Sequence, residues 1–141
     1  SLTSELYFGD MSMKKFICMF ALVFVCQARA DDLIESLEPV AAAPQVIVVY
    51  RNQCPDNQEK AIEMVKELIE YEKASSPIAY SSVPGIWDDG TIGAIDLHQS
   101  LEMMEQAFEW QQKDESWTAQ YNAIIAACGG NEFEPSYMVA K

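Results

Sequence analysis

"IAYSSVPGIWDDGTIGAIDLH" (Ile78–His98) is the stretch whose reading decides the fold. It reads as two strands around a turn. Asp89-Gly90 supplies the positive-φ dipeptide that a tight hairpin needs. Pro84 cannot donate to a strand ladder, so the first of these strands belongs at a sheet edge or bends there. Asp88-Asp89 is a carboxylate pair, but turn propensity accounts for it better than calcium binding or acid–base work.

Upstream, "VIVVYR" (Val46–Arg51) is a β-branched run without a polar residue until Arg51, the pattern of a strand buried on both faces. "NQCPDNQ" breaks it. From Asn57 to Ala74 the apolar residues Ala61, Ile62, Val65, Leu68 and Ile69 fall on one face of an amphipathic helix, with Asp56 or Asn57 as its cap. Ser75-Ser76-Pro77 stops that helix. Downstream, Ser100 can cap a second helical stretch whose stripe runs Leu101, Met104, Phe108, then Trp117, Tyr121, Ile124, Ile125 and Cys128. "KDES" (Lys113–Ser116) interrupts the stripe, which predicts a kink or two linked helices, Asp114 capping the second. Gly129-Gly130 ends it, and "SYMVAK" (Ser136–Lys141) is a short final strand. The order strand, helix, strand, strand, helix, strand closes through right-handed crossovers into a split βαβ sheet with both helices on one face.

"MKKFICMFALVFVCQARADD" (Met13–Asp32) has the three-part form of a secretory signal: Lys14 and Lys15, ten apolar residues from Phe16 to Val25, then Ala28-Arg29-Ala30 for the peptidase. It is shorter than the ~20 apolar residues of a membrane-crossing helix. Lipidation at Cys26 is disfavoured by the bulk of Val25. The expected organisation is upstream residues 1–12, a signal at 13–30, a leader at 31–45 and one domain at 46–141. The working protein is then exported, periplasmic or secreted, with no membrane attachment after cleavage.

Cleavage after Ala30 leaves Cys54 and Cys128, with 73 residues between them. In an oxidising compartment such a pair suggests a disulfide, while two free thiols remain the alternative. The predicted topology favours the bridge, because the end of the first strand and the end of the second helix meet at one edge of the sheet. From residue 31 onward, six basic residues (Arg51, Lys60, Lys66, Lys73, Lys113 and Lys141) face 20 acids, a net charge of −14. That surface repels phosphate backbones and anionic lipid, so neither nucleic acid nor a membrane surface is expected as a partner.

Ser100-Leu101 opening a helix, and Asp114-Glu115-Ser116-Trp117 restarting it, resemble the segment after the third strand in dimeric α/β-barrel proteins, particularly the NIPSNAP-like and related small ferredoxin-like families. "VVYR" (Val48–Arg51) is similar to the first strand of the same group. The resemblance spans most of Val46–Gly130 and brings no catalytic signature. It implies an α+β, ferredoxin-like βαββαβ fold, a four-stranded antiparallel sheet with two helices on one face. It further implies pairing of two copies through the sheet as a dimeric α/β barrel, and an aromatic-lined pocket between sheet and helices. The export signal, the cysteine pair and a weak final strand depart from the family pattern.

For that pocket the candidates are Arg51, Tyr50, Tyr80, Trp87, His98, Trp117 and Tyr121, with Trp110 a further aromatic. His98 is the sole histidine, a residue type suited to general-base or ligand work; without a second histidine or a free cysteine it makes no metal site. Arg51, the sole arginine after cleavage, can orient an anion or pair with one of the many acids. Met103 and Met104 read as gap-filling core. Phosphate loops, Cys-x-x-Cys, nucleophile elbows and zinc helices are missing from the sequence, and neither metal nor cofactor is expected. Three functions fit: binding of a small apolar or aromatic molecule, a cofactor-independent or haem-handling monooxygenase using His98 and Arg51, and a structural protein with a filled core.

Overall fold

The computed structural model describes residues 38–141; the upstream segment, the signal and the first part of the leader lie outside the described residues. The elements run β1 (Val46–Asn52), α1 (Gln58–Ser75), β2 (Tyr80–Ile86), β3 (Ile92–His98), α2 (Leu101–Lys113), α3 (Glu115–Ala127) and β4 (Glu134–Val139). The sheet order is β2-β3-β1-β4, every neighbouring pair antiparallel. This is the α+β ferredoxin-like arrangement, with the second helical stretch divided in two.

The predicted turn is present. Gly90 sits at φ 84°, in the region that glycine enters without steric penalty, and its N–H donates to the Trp87 carbonyl at 2.9 Å. β2 pairs with β3 alone, so Pro84 lies on an edge strand. On β3, Gly93 lies opposite Gly85 and Arg51 and carries β1 close against β3: a Cβ there would lie 1.8 Å from the Tyr50 carbonyl oxygen.

Side chains alternate across the sheet. Val46, Val48, Ile92, Asp96 and His98 are buried on the face beneath the helices, whereas Val83, Ile95 and Met138 on the other face are exposed. The expectation that β1 is covered on both faces therefore needs correction. Ile47 and Val49 are only half-buried, because no element of the described chain covers that side. Their β-branched character reports a second apolar surface rather than a second helix layer.

Caps follow the sequence at two of three sites. Ser100 Oγ accepts from Met103 N at 3.2 Å, and Asp114 Oδ1 accepts from Trp117 N at 2.7 Å, which fixes the break between α2 and α3. Asn57 stands at the start of α1 without a side-chain capping bond. Its Nδ2 instead donates to the Ala127 carbonyl at 2.9 Å, tying the start of α1 to the end of α3. β4 begins at Glu134, two residues ahead of the sequence estimate.

Cys54 and Cys128 are bonded, with Cα atoms 4.4 Å apart. They sit in a core with Ala61, Val65, Leu68, Ile69, Ile92 and Ile124, while Val46, Val48 and Met104 form a second cluster towards α2. The bridge spans 74 positions, and the chain-entropy model assigns a loop of that length a stabilisation of about 4 kcal/mol. Reduction, or Cys54→Ala with Cys128→Ala, should lower the urea-unfolding free energy by roughly that amount, and the intact mass should fall by about 2 Da on oxidation. Unchanged unfolding curves under reducing conditions would contradict the bridge's role.

Candidate functional site

A cavity of about 140 Å³ lies between the sheet and the helices. α1 offers Val65, Leu68 and Ile69 as one wall, all spaced on its inward stripe. Ala94 of β3 leaves the space open by being small. Trp117, Tyr121 and Ile124 of α3, with Phe133 beyond it, form the opposite wall. Trp117 stacks on Tyr121 with ring centroids 5.0 Å apart, and Tyr121 meets Phe133 at 6.0 Å.

Polar groups enter this apolar space from five elements: Tyr50 of β1, Glu72 of α1, Ser82 of β2, Asp96 of β3 and Gln111 of α2. Glu72 and Asp96 are 8% and 3% exposed. Trp117 Nε1 donates to Glu72 Oε1 at 2.7 Å, and Gln111 Nε2 reaches the same oxygen at 3.4 Å. Gln111 Nε2 also donates to the Tyr80 hydroxyl at 3.1 Å, while Ser82 Oγ donates to Asp96 Oδ1. The Asp114 cap matters here. Its Oδ1 also accepts from Tyr71 at 2.9 Å, so the start of α3, and with it the Trp117 indole, is held from two sides.

Burial governs the electrostatics. Glu72 is raised from 4.5 to about 7, chiefly because ionisation in this dry wall is costly and secondarily because Asp96 is close; the Trp117 bond opposes the shift. Tyr50 and Tyr80 are pushed upwards by the same desolvation, Asp96 adding to the effect at Tyr50 and Glu72 at Tyr80. The Tyr50 hydroxyl is buried and makes no hydrogen bond within the described residues.

The predicted residues divide into three groups. Tyr50, Trp117 and Tyr121 line the cavity. Tyr80 and His98 stand beside it: they stack at 4.8 Å, and Phe108 closes on His98 edge-on at 6.1 Å. His98 is fully buried, neither ring nitrogen has a hydrogen-bond partner among the described residues, and Nε2 lies 3.7 Å from Asp96 Oδ2. Arg51 and Trp87 lie at the hairpin, away from the cavity. Arg51 pairs with Asp89 at 2.6 Å, donates to Thr91 at 3.2 Å and covers the Trp87 ring at 4.6 Å. Trp110 stacks on Tyr71 at 6.3 Å. Among the described residues no group of three or more His, Cys, Asp or Glu is placed to hold a metal ion.

Sequence reasoning missed Glu72, Ser82, Asp96 and Gln111. Three of them carried a signal. Glu72 continues the stripe of Val65, Leu68 and Ile69 at helical spacing; Gln111 does the same after Met104 and Phe108; Asp96 alternates inward with Ile92 and Ala94. A polar residue at an inward position is the mark of a satisfied core network or a site.

No family model matches the sequence, and no curated protein does. Solved structures do share its fold. A point-substituted form of SnoaB, a cofactor-independent oxygenase from Streptomyces nogalater, superposes with a TM-score of 0.51 at 14% identity, over 70% of this chain and 95% of that one. A conserved protein of unknown function from Bacteroides thetaiotaomicron, described as a possible oxidoreductase, gives 0.48 at 21% identity over 70% and 99% of the two chains. A dimeric ferredoxin-like protein from an uncultured marine organism gives 0.48 at 8% over 69% and 95%. The likeness to SnoaB shows a shared fold, the α+β ferredoxin-like one described above, and does not single out the NIPSNAP-like group.

The Glu72 shift has a consequence for stability. Between pH 4.5 and 7 the folded chain holds a proton that the unfolded chain releases, so stability falls as pH rises through that window, by roughly 3 kcal/mol once complete. Glu72→Gln should remove this fall, gaining on the wild type at pH 8 but not at pH 4.5. Urea midpoints that differ by a constant amount at the two pH values would refute the assignment.

Proposed function

We propose that this is an exported protein that binds a small, single-ring or similarly compact apolar molecule in the cavity between sheet and helices. The observation that carries the reading is the cavity itself: apolar walls from α1 and α3, with polar groups of five elements converging on it. A packed interior would have favoured a purely structural role. An engineered cavity of about 150 Å³ suffices to bind benzene, so a space of about 140 Å³ suits one ring or a short branched chain. Toluene and benzyl alcohol are suitable probes. Each should shift the methyl resonances of Leu68 and Ile124, and Ala94→Phe, which fills the space, should abolish the shifts while circular dichroism stays native. Unmoved resonances at saturating probe would reject the reading.

Export rests on the signal-like Met13–Asp32 and on the Cys54–Cys128 bridge, a bond of oxidising compartments. Among the described residues no helix is long and apolar enough to cross a membrane. A second reading, cofactor-independent oxygen chemistry as in SnoaB, draws on Glu72, whose value of about 7 suits a general base at neutral pH. In that reading Glu72 takes the role first considered for His98, which stands behind Asp96, and Arg51 stays with Asp89.

The open sheet face supports a homodimer. Val83, Ile95 and Met138 are 58%, 39% and 59% exposed there, flanking the half-buried Ile47 and Val49. Two copies laid sheet to sheet would cover this apolar surface on both. Val83→Lys places a charge in that contact and should convert a dimer into a monomer in light scattering; a wild type that is already monomeric at high micromolar concentration would exclude the arrangement.

A further inference from the structure

Granting the pocket reading, we infer that its occupant is a small organic cation, a protonated amine or quaternary ammonium carried on an apolar body. Two carboxyls face one cavity, and among the described residues no lysine, arginine or histidine lines it. Glu72 and Asp96 are both more than nine-tenths buried. The donors that reach Glu72, the Trp117 indole, the Gln111 amide and the Tyr80 hydroxyl, are all neutral, and the first two fall on a single oxygen, Oε1. Asp96 takes the Ser82 hydroxyl on Oδ1. The second oxygens, Glu72 Oε2 and Asp96 Oδ2, take none of the indole, amide and Ser82 bonds. The nearest basic nitrogen to Asp96 is His98 Nε2, at 3.7 Å and outside the cavity wall. Buried carboxylates are ordinarily matched by a cation; among the described residues His98 is the basic side chain beside Asp96, and none stands inside the cavity with Glu72.

The rest of the wall suits the same occupant. Tyr50, Trp117, Tyr121 and Phe133 bring four aromatic rings to the cavity, and ring faces attract ammonium groups, most strongly where water is excluded. An anionic ligand would meet two carboxyls with no counter-charge. A metal ion finds only two ligating side chains, and no larger cluster is placed for it among the described residues. The exterior works in the same direction: 20 acids against six bases from residue 31 onward draw cations towards the molecule. The Tyr50 hydroxyl, buried and unpartnered in the wall, can accept a hydrogen bond from an ammonium N–H.

Benzylamine and benzyl alcohol test this, since they match in size and shape and differ in charge at neutral pH. Calorimetric titration of the disulfide-bonded protein should give benzylamine at least a tenfold tighter Kd than benzyl alcohol. Glu72→Gln should erase most of that ratio. Asp96→Asn, which retains an acceptor for Ser82, provides the same readout if Glu72→Gln does not fold. Equal affinity for the two probes would overturn the cation assignment and leave the pocket intact. Failure of benzylamine, benzyl alcohol and toluene alike would remove the pocket reading itself.

Discussion

The antiparallel pairing of β1 with β3 is the contact on which the other features depend. It places Tyr50 opposite Ala94 and Val48 opposite Asp96, so that a tyrosine, a small residue and an acid share the underside of the helices. Gly93 permits the close approach of the two backbones at this point. Because β1 also pairs with β4 on its other side, the strand that carries Tyr50 is fixed along both edges. The cavity floor is thus built from the most constrained part of the sheet, a suitable base for side chains that must keep their positions.

The helices complete the site by unequal means. α1 supplies aliphatic wall and one acid in the same turn-by-turn stripe, so Glu72 is carried inward by the burial of Leu68 and Ile69. The break at Asp114 serves a different purpose. A continuous helix would carry Trp117 onward with the phase of α2; the capped restart resets that phase and brings the indole to Glu72. The site combines positions fixed by packing with one position fixed by a cap.

Much of the fold was legible because its punctuation is local. Asp89-Gly90, Ser100, Asp114 and Gly129-Gly130 each mark an element end through backbone geometry that short-range chemistry dictates. The cysteine pairing followed once the topology was drawn. The centre of the site was harder to see. Tyr50, Trp117 and Tyr121 stand out in the sequence as aromatics, but Glu72 is one acid among several on its helix. Only its phase against Val65, Leu68 and Ile69 set it apart from Glu63, Glu67 and Glu70. Arg51 and Trp87 were attractive by type, yet whether a side chain at a strand end turns to the pocket or to the hairpin depends on three-dimensional neighbours, here Asp89 and Thr91. Both faces of β1 were apolar in sequence, and nothing local distinguishes a helix-covered face from one left open.

The Cys54–Cys128 bond joins the chain just after β1 to the chain just after α3. Everything between them, both hairpin strands and all three helices, therefore belongs to one covalent ring, from which β1 and β4 emerge as neighbouring tails paired to each other. A protease that cuts once inside the ring opens it without releasing a fragment, and the severed ends stay tethered at a fixed point in the core. A single nick within the ring thus leaves the chain in one covalent piece.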